Sequence, residues 1–266
     1  AYNKFGYSAK QTMMIAQQLY EGISLGSEGQ TGLITYMRTD SLTLAEQFLA
    51  HAREYIQQAC GPTYLTAEAR RFKTKAKTAQ EAHEAIRPTD PFRTPDHVAG
   101  YLDKRQGNLY RLIWQRTIAS QMQPARYENT TALIDAKDTG YAFQASGLVL
   151  TFDGFLKLYS IKTAESLLPE LRVGEILTLK DLKPAQHFTQ PPPRYTDATL
   201  VKALEERGIG RPSTYAPTLS TILARNYVTR NEEKKFTPTE IGTLVNDVLV
   251  QHFPQIVDYE FTAKME

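Results

Sequence analysis

Apolar residues recur every three or four positions over much of the chain and every second position in its middle, and that contrast outlines the fold. Met13, Ala16, Leu19, Tyr20 and Ile23 lie at helical spacing behind Ser8-Ala9-Lys10-Gln11, a capping-box pattern. A helix is predicted over 8–22, with that Met and aromatic stripe in the core. Gly22, Gly26, Gly29 and Gly32 then punctuate a mobile approach to a strand beginning at Leu33. Thr43-Leu44-Ala45-Glu46 reads as a second capping box. It opens a long helix with Phe48, Leu49, Ala52, Ile56 and Ala59 inside, stopped by Gly61. A short helical stretch carrying His83 ends at Arg87-Pro88. A further helix over 104–122 buries Leu109, Leu112, Ile113, Trp114, Ile118 and Met122.

From Ala125 the period changes to two. Segments near 127–135, 140–146, 148–152, 155–160 and 175–180 read as strands, with Asp138-Thr139-Gly140 and Asp153-Gly154 as turns. Pro191-Pro192-Pro193 is a stiff connector and a boundary. Beyond it the pattern is that of a winged helix: helices over 197–207 and 213–225, joined at Gly208-Ile209-Gly210 and the second capped by Ser213 or Thr214. A hairpin wing from Tyr227 to Phe236 follows. The last helix is opened by Thr237-Pro238-Thr239-Glu240, a capping box with Pro at its first position. The expected class is therefore α+β, mainly α with a β-rich middle, in three units: 1–123, 124–194 and 195–266.

Composition narrows the options. A chain of 266 residues with 41% hydrophobic content supports more than one core. The net charge of +2 confines any nucleic-acid surface to a local patch. One such candidate is the basic run Arg70 to Lys77, read either as a solvated loop or as a DNA-backbone contact. A single cysteine, Cys60, excludes an internal disulfide and a cysteine-rich zinc site. The expectation is a cytoplasmic protein without a membrane span or signal peptide. The chain opens without Met, and it reads as a piece of something longer.

The candidate chemistry centres on Gly32-Leu33-Ile34-Thr35-Tyr36-Met37-Arg38-Thr39-Asp40-Ser41. On a strand, Ile34, Tyr36 and Arg38 share one face, with Tyr36 and Arg38 roughly 7 Å apart at their Cα atoms. A phenol beside a guanidinium suits attack on a phosphodiester, because a fixed positive charge favours the phenolate and offsets charge building on phosphorus. The plainer reading is that Tyr36, one of 15 tyrosines, packs. His83 has no metalloprotease partner, since Arg87 stands where a second His would be needed.

These residues carry a resemblance. The string from Gly32 to Ser41, the block Gln80-Glu81-Ala82-His83-Glu84-Ala85-Ile86-Arg87-Pro88, and the block from Lys202 to Tyr215 containing Gly208-Ile209-Gly210-Arg211-Pro212-Ser213-Thr214 resemble the bacterial DNA topoisomerase I family, type IA, in the family's order. Phe261 to Glu266 also fits. The resemblance implies that Tyr36 is the nucleophile of a 5′-phosphotyrosine link, Arg38 its phosphate-stabilising partner and His83 an accessory group. It implies relaxation of negative supercoils without ATP. Arg211, Ser213, Thr214 and Arg225 become candidates for holding single-stranded DNA. It implies a toroidal fold in which 1–123 is the helical tyrosine domain, 124–194 part of the β arch and 195–266 part of the base.

One departure stands out. The family's N-terminal acidic domain, whose Asp-x-Asp-x-Glu cluster binds Mg²⁺, has no counterpart here; the nearest acidic stretch, Asp135-Ala136-Lys137-Asp138, is interrupted by a lysine. No metal ligand is assigned to this chain. Its expected partners are DNA, chiefly single-stranded, and that acidic domain with the rest of the same polypeptide. The expectation is weak single-strand binding and no relaxation by the chain alone. The alternatives are a single-stranded-DNA-binding module in which Tyr36 is structural and an interaction protein that never touches DNA. A tyrosine recombinase fits poorly, since none of its motifs surround Tyr36.

Overall fold

The structure, a computed structural model, describes residues 1–72, 83–161 and 165–265. A short helix α1 (Tyr2–Phe5) precedes α2 (Ala9–Glu21), whose Ser8 side chain accepts the Gln11 N–H while Gln11 bonds back, as the capping-box pattern predicts. A small hairpin, β1 (Ile23–Ser24) and β2 (Gln30–Thr31), fills the glycine-punctuated approach. Helices α3 (Glu46–Cys60) and α4 (Lys104–Ser120) follow. Ile15, Leu19, Leu33, Ile34, Phe48, Ile56, Leu109, Trp114, Ile118 and Met122 form one buried cluster among these helices and the tyrosine segment.

Two caps differ from expectation. α3 begins at Glu46 behind Ala45, with no side-chain cap. Thr43 has other work: its N–H is held by the Ser41 hydroxyl and its carbonyl accepts the Ala85 N–H at 2.8 Å. The segment around His83 is not helical either. Ala85, Arg87 and Thr89 all donate their N–H groups to neighbouring parts of the chain, which a helix would have kept for itself.

The β-rich middle is a single long hairpin, β3 (Arg126–Ala136) with β4 (Tyr141–Phe152), paired from Arg126↔Phe152 to Ala136↔Tyr141. The two predicted strands 140–146 and 148–152 are one. The predicted strands 155–160 and 175–180 do not form: Gly154–Lys157 is a 3-10 turn, and 175–180 is exposed without ladder partners. Period two makes a strand possible, but a neighbouring edge makes it real.

The last part contains α5 (Asp197–Glu206), α6 (Tyr215–Ala224), the hairpin β5 (Val228–Arg230) and β6 (Phe236–Pro238), α7 (Glu240–His252) and α8 (Tyr259–Met265). Pro238 ends β6 rather than opening α7, which starts two residues later with Thr239 accepting the Gly242 N–H. This part packs on the first through α1 against α5 and α2 against α6. Among the described residues no helix is long and apolar enough to cross a membrane.

Candidate nucleic-acid cleavage site

Tyr36 lies just beyond a minimal pairing between two distant segments. Ile34 bridges Pro88 in antiparallel sense. Thr35 donates its N–H to the Arg87 carbonyl at 2.9 Å, and Thr89 donates to Leu33 at 3.0 Å. The Thr35 hydroxyl donates to Ala85 O at 2.8 Å and accepts the Arg87 N–H at 2.9 Å. The first two sequence blocks are thus stitched together by backbone polarity, and the stitch delivers His83 to the tyrosine. The two rings lie with centroids 5.7 Å apart, tilted by 46°.

Arg87 itself faces away from this chemistry. Its guanidinium lies over the Phe48 ring and pairs with Glu84 at 2.6 Å, which fixes the turn behind His83.

The strand geometry expected through Arg38 does not hold. Pairing ends at Thr35, and the chain bends at Met37 and Arg38. Leu33, Ile34 and Met37 are all buried, so burial does not alternate along the segment; Tyr36 is half-buried and Arg38 exposed. Arg38 forms no hydrogen bond or ion pair among the described residues, which leaves its fork open for an anion. Of the basic run, Arg71 pairs with Glu46 at 2.8 Å and is committed within the chain. Residues 73–77 of that run, and Gln80, Glu81 and Ala82, lie outside the described residues.

The third sequence block reaches the first across a cavity. A space of about 350 Å³ is bounded on one side by Met37, Thr39 and Asp40 and on the other by Val201, Glu205, Pro212, Tyr215 and Ala216, with Met13 of α2 at its wall. The turn directly after the tyrosine therefore faces the start of α6. Here too the structure corrects the reading. Thr214 occupies the cap position of α6 without capping it; its hydroxyl accepts the Arg211 N–H at 2.8 Å instead. The N–H groups of Thr214 and Tyr215 both go to the Arg211 carbonyl, Pro217 has none, and Ala216 is buried. The helix start is not an open cradle of N–H groups, so side chains must carry any phosphate contact. Ser213 and Thr214 are exposed, and Arg211 is half-buried with Nη1 donating to Gly210 O at 2.8 Å. Arg225, exposed, stands at the far end of α6, some 16 Å from Thr214 by helical rise.

Two participants escaped the sequence reading. Asp197, 2% exposed, accepts the Ala9 N–H at 2.9 Å and holds Arg230 through both carboxylate oxygens, tying α2, α5 and β5 at one point. Tyr20, assigned to the core stripe, is 40% exposed and sets its ring edge against Tyr36, centroids 5.3 Å apart. Helical spacing alone signalled neither, because each role depends on a partner distant in sequence.

Comparison with known proteins follows the same lines. The family described as DNA topoisomerase matches residues 1–266. DNA topoisomerase 1 of Xylella fastidiosa is 49% identical over 275 residues, an alignment covering 100% of this chain and 34% of that protein. The chain thus spans about a third of the length of that curated relative. The solved structure of full-length topoisomerase I from Thermotoga maritima superposes with a TM-score of 0.84 at 38% identity, covering 100% of this chain and 42% of the other.

Proposed function

The chain belongs to the DNA topoisomerase family, and from that premise we propose that it is the tyrosine-bearing and strand-holding part of a type IA enzyme. In this reading the Tyr36 phenol oxygen attacks a backbone phosphorus of single-stranded DNA. A 5′-phosphotyrosine bond forms and the 3′-oxygen leaves as a hydroxyl. Reversal by that hydroxyl reseals the strand, and because the phosphodiester energy is kept in the link, no ATP is consumed. Arg38 neutralises the charge developing on phosphorus. His83, ring against ring with Tyr36, is the accessory group. Arg211, Ser213, Thr214 and Arg225 hold the strand along α6. The division at 123/124 and 194/195 into tyrosine domain, arch segment and winged-helix-like segment belongs to the same proposal, as do the relaxation of negative supercoils and a cytoplasmic setting.

The observation that carries this reading is convergence. Thr35 binds the second block, Tyr36 contacts His83, and Met37, Thr39 and Asp40 line a cavity with residues of the third block. Three segments far apart in sequence converge on the stretch from Thr35 to Asp40.

Among the described residues no group of three or more His, Cys, Asp or Glu could hold the Mg²⁺ that the resemblance implies. In this reading the acidic domain that the resemblance implies would hold the ion.

The test is covalent trapping. Labelled single-stranded DNA is incubated with the chain and Mg²⁺, with and without that acidic domain, and resolved on a denaturing gel. The expected result is an adduct that requires the acidic domain and vanishes in Tyr36→Phe, with no supercoil relaxation by the chain alone. Reversible binding with no adduct under either condition would leave a single-stranded-DNA-binding module with a structural Tyr36.

A further inference from the structure

We propose that Tyr20 is a positioning residue that holds the Tyr36 phenol in its reactive orientation, an inference that rests on the reading of Tyr36 as nucleophile. Tyr20 sits in the last turn of α2, on the helix whose neighbouring residue anchors the tyrosine segment. The Leu19 carbonyl accepts the Leu33 N–H at 2.8 Å. A Cβ placed at Gly32 would stand 2.9 Å from the Tyr20 carbonyl oxygen, so the segment can approach this turn only because residue 32 is glycine. The backbone four residues before Tyr36 is thus pressed against the backbone of Tyr20.

The side chains extend that contact. The Tyr20 and Tyr36 rings meet edge to face, centroids 5.3 Å apart and planes at 63°. Tyr36 also lies against His83. Its ring is therefore confined by two aromatic neighbours, one from the α2 end and one from the second block. Edge-to-face geometry is directional, which makes it suited to fixing a rotamer rather than simply burying area. Tyr20 is an unusual member of a helical stripe in being 40% exposed while Ile15, Ala16 and Leu19 are buried. Its hydroxyl makes no hydrogen bond among the described residues, so the ring, not the oxygen, makes the contact. Attack on phosphorus demands a narrow approach direction, and a loosely held phenol loses rate without losing substrate.

The experiment compares Tyr20→Ala and Tyr20→Phe in the full-length polypeptide. Adduct formation and single-stranded-DNA affinity are read separately, and 3-fluorotyrosine at position 36 reports its ring by ¹⁹F resonance. The expected result for Tyr20→Ala is adduct formation slower by on the order of tenfold, affinity unchanged, and a fluorine signal moved toward that of free fluorotyrosine. Tyr20→Phe should restore both. Unchanged adduct rate and fluorine signal in Tyr20→Ala would overturn the inference while leaving the proposed function standing. Absence of adduct in the unsubstituted protein would instead overturn the function, and the fluorine signal would still decide whether Tyr20 orders Tyr36. Loss of DNA affinity in step with rate would mark Tyr20 as a strand contact and overturn the positioning role.

Discussion

The Thr35 hydroxyl and the Arg87 backbone N–H are 2.9 Å apart, and this one side-chain bond joins residues 52 positions distant within one residue of the candidate nucleophile. The same hydroxyl donates to Ala85 O. Thr35→Val keeps the shape and removes both bonds, leaving a partly buried N–H and carbonyl without their partner. It should lower unfolding free energy by about 1–3 kcal/mol in urea titration, with Thr35→Ser close to the parent. Adduct formation should fall further than stability explains, because the bond also sets where His83 meets Tyr36.

Asp197 predicts a different pattern. Its carboxylate accepts from Ala9 and Arg230, and it is nearly inaccessible. Asp197→Ala leaves the guanidinium facing a partly dry site and should cost about 3 kcal/mol, the low end for a broken buried pair because Arg230 is half open to water. The double replacement Asp197→Leu with Arg230→Met should recover much of that loss. A double-mutant cycle by thermal or urea unfolding measures the coupling. Additive losses would show that the two side chains act separately.

How far these relationships could be read from the chain follows from their range. The Ser8 box, Gly61 stopping α3 and the order of helices and hairpin in the last part were legible because each depends on neighbours close in sequence. Tyr36 and His83 could be paired only through the resemblance; nothing in either local sequence says that rings 47 positions apart will touch. Thr43 and Thr237 were misread as caps for a related reason. Both satisfy the local rule, but Ser41 and Ala85 engage Thr43, and Pro238 is consumed by β6. The 175–180 segment has the alternation of a strand and no ladder, which periodicity cannot report. The cavity between Met37 and Ala216 is a product of packing between distant helices, invisible in either.

Tyr110 predicts the alkaline behaviour. It is buried with its hydroxyl donating to Arg93 O at 2.6 Å, and burial pushes its phenol far above the usual tyrosine value despite the opposing influence of Arg93. The unfolded chain releases that proton near pH 10 while the folded chain keeps it. Stability from this group is therefore complete below about pH 10 and declines as pH rises, by about 1.4 kcal/mol per pH unit. Tyr55, also raised by burial, adds to the same limb. Tyr110→Phe should lower stability at neutral pH by about 1 kcal/mol, the lost hydrogen bond, yet flatten the decline above pH 10. Urea midpoints measured from pH 7 to 11 check the sign.

Gly242 should resist the substitution that helix propensity recommends. In an exposed helix interior, Gly→Ala gains about 1 kcal/mol. Here a Cβ would collide with the Tyr227 carbonyl, the same carbonyl that accepts the Thr239 N–H at the start of α7. Backbone atoms cannot swing aside as a side chain can. Gly242→Ala should therefore destabilise by about 1–3 kcal/mol, as for overpacking, in denaturant unfolding. Any gain in stability would mean that α7 shifts away from the Tyr227 backbone without penalty.

The two ends of α6 make the last prediction. Arg211 lies in the turn before the helix and Arg225 just after it, so a strand held by both must run along the helix rather than sit at its start. Each phosphate neutralised on a single strand contributes about 0.7 to the slope of log affinity against log salt. Arg225→Gln should reduce the slope by about 0.7 and weaken binding similarly for all sequences, as expected for a backbone contact. Arg211→Gln should do the same, and the double variant should lose about 1.4, because sites that far apart on a rigid helix act independently. Salt titrations of single-stranded DNA binding by fluorescence anisotropy give these slopes directly. A full effect from Arg211→Gln with none from Arg225→Gln would place the strand across the cavity mouth near Asp40 instead of along α6.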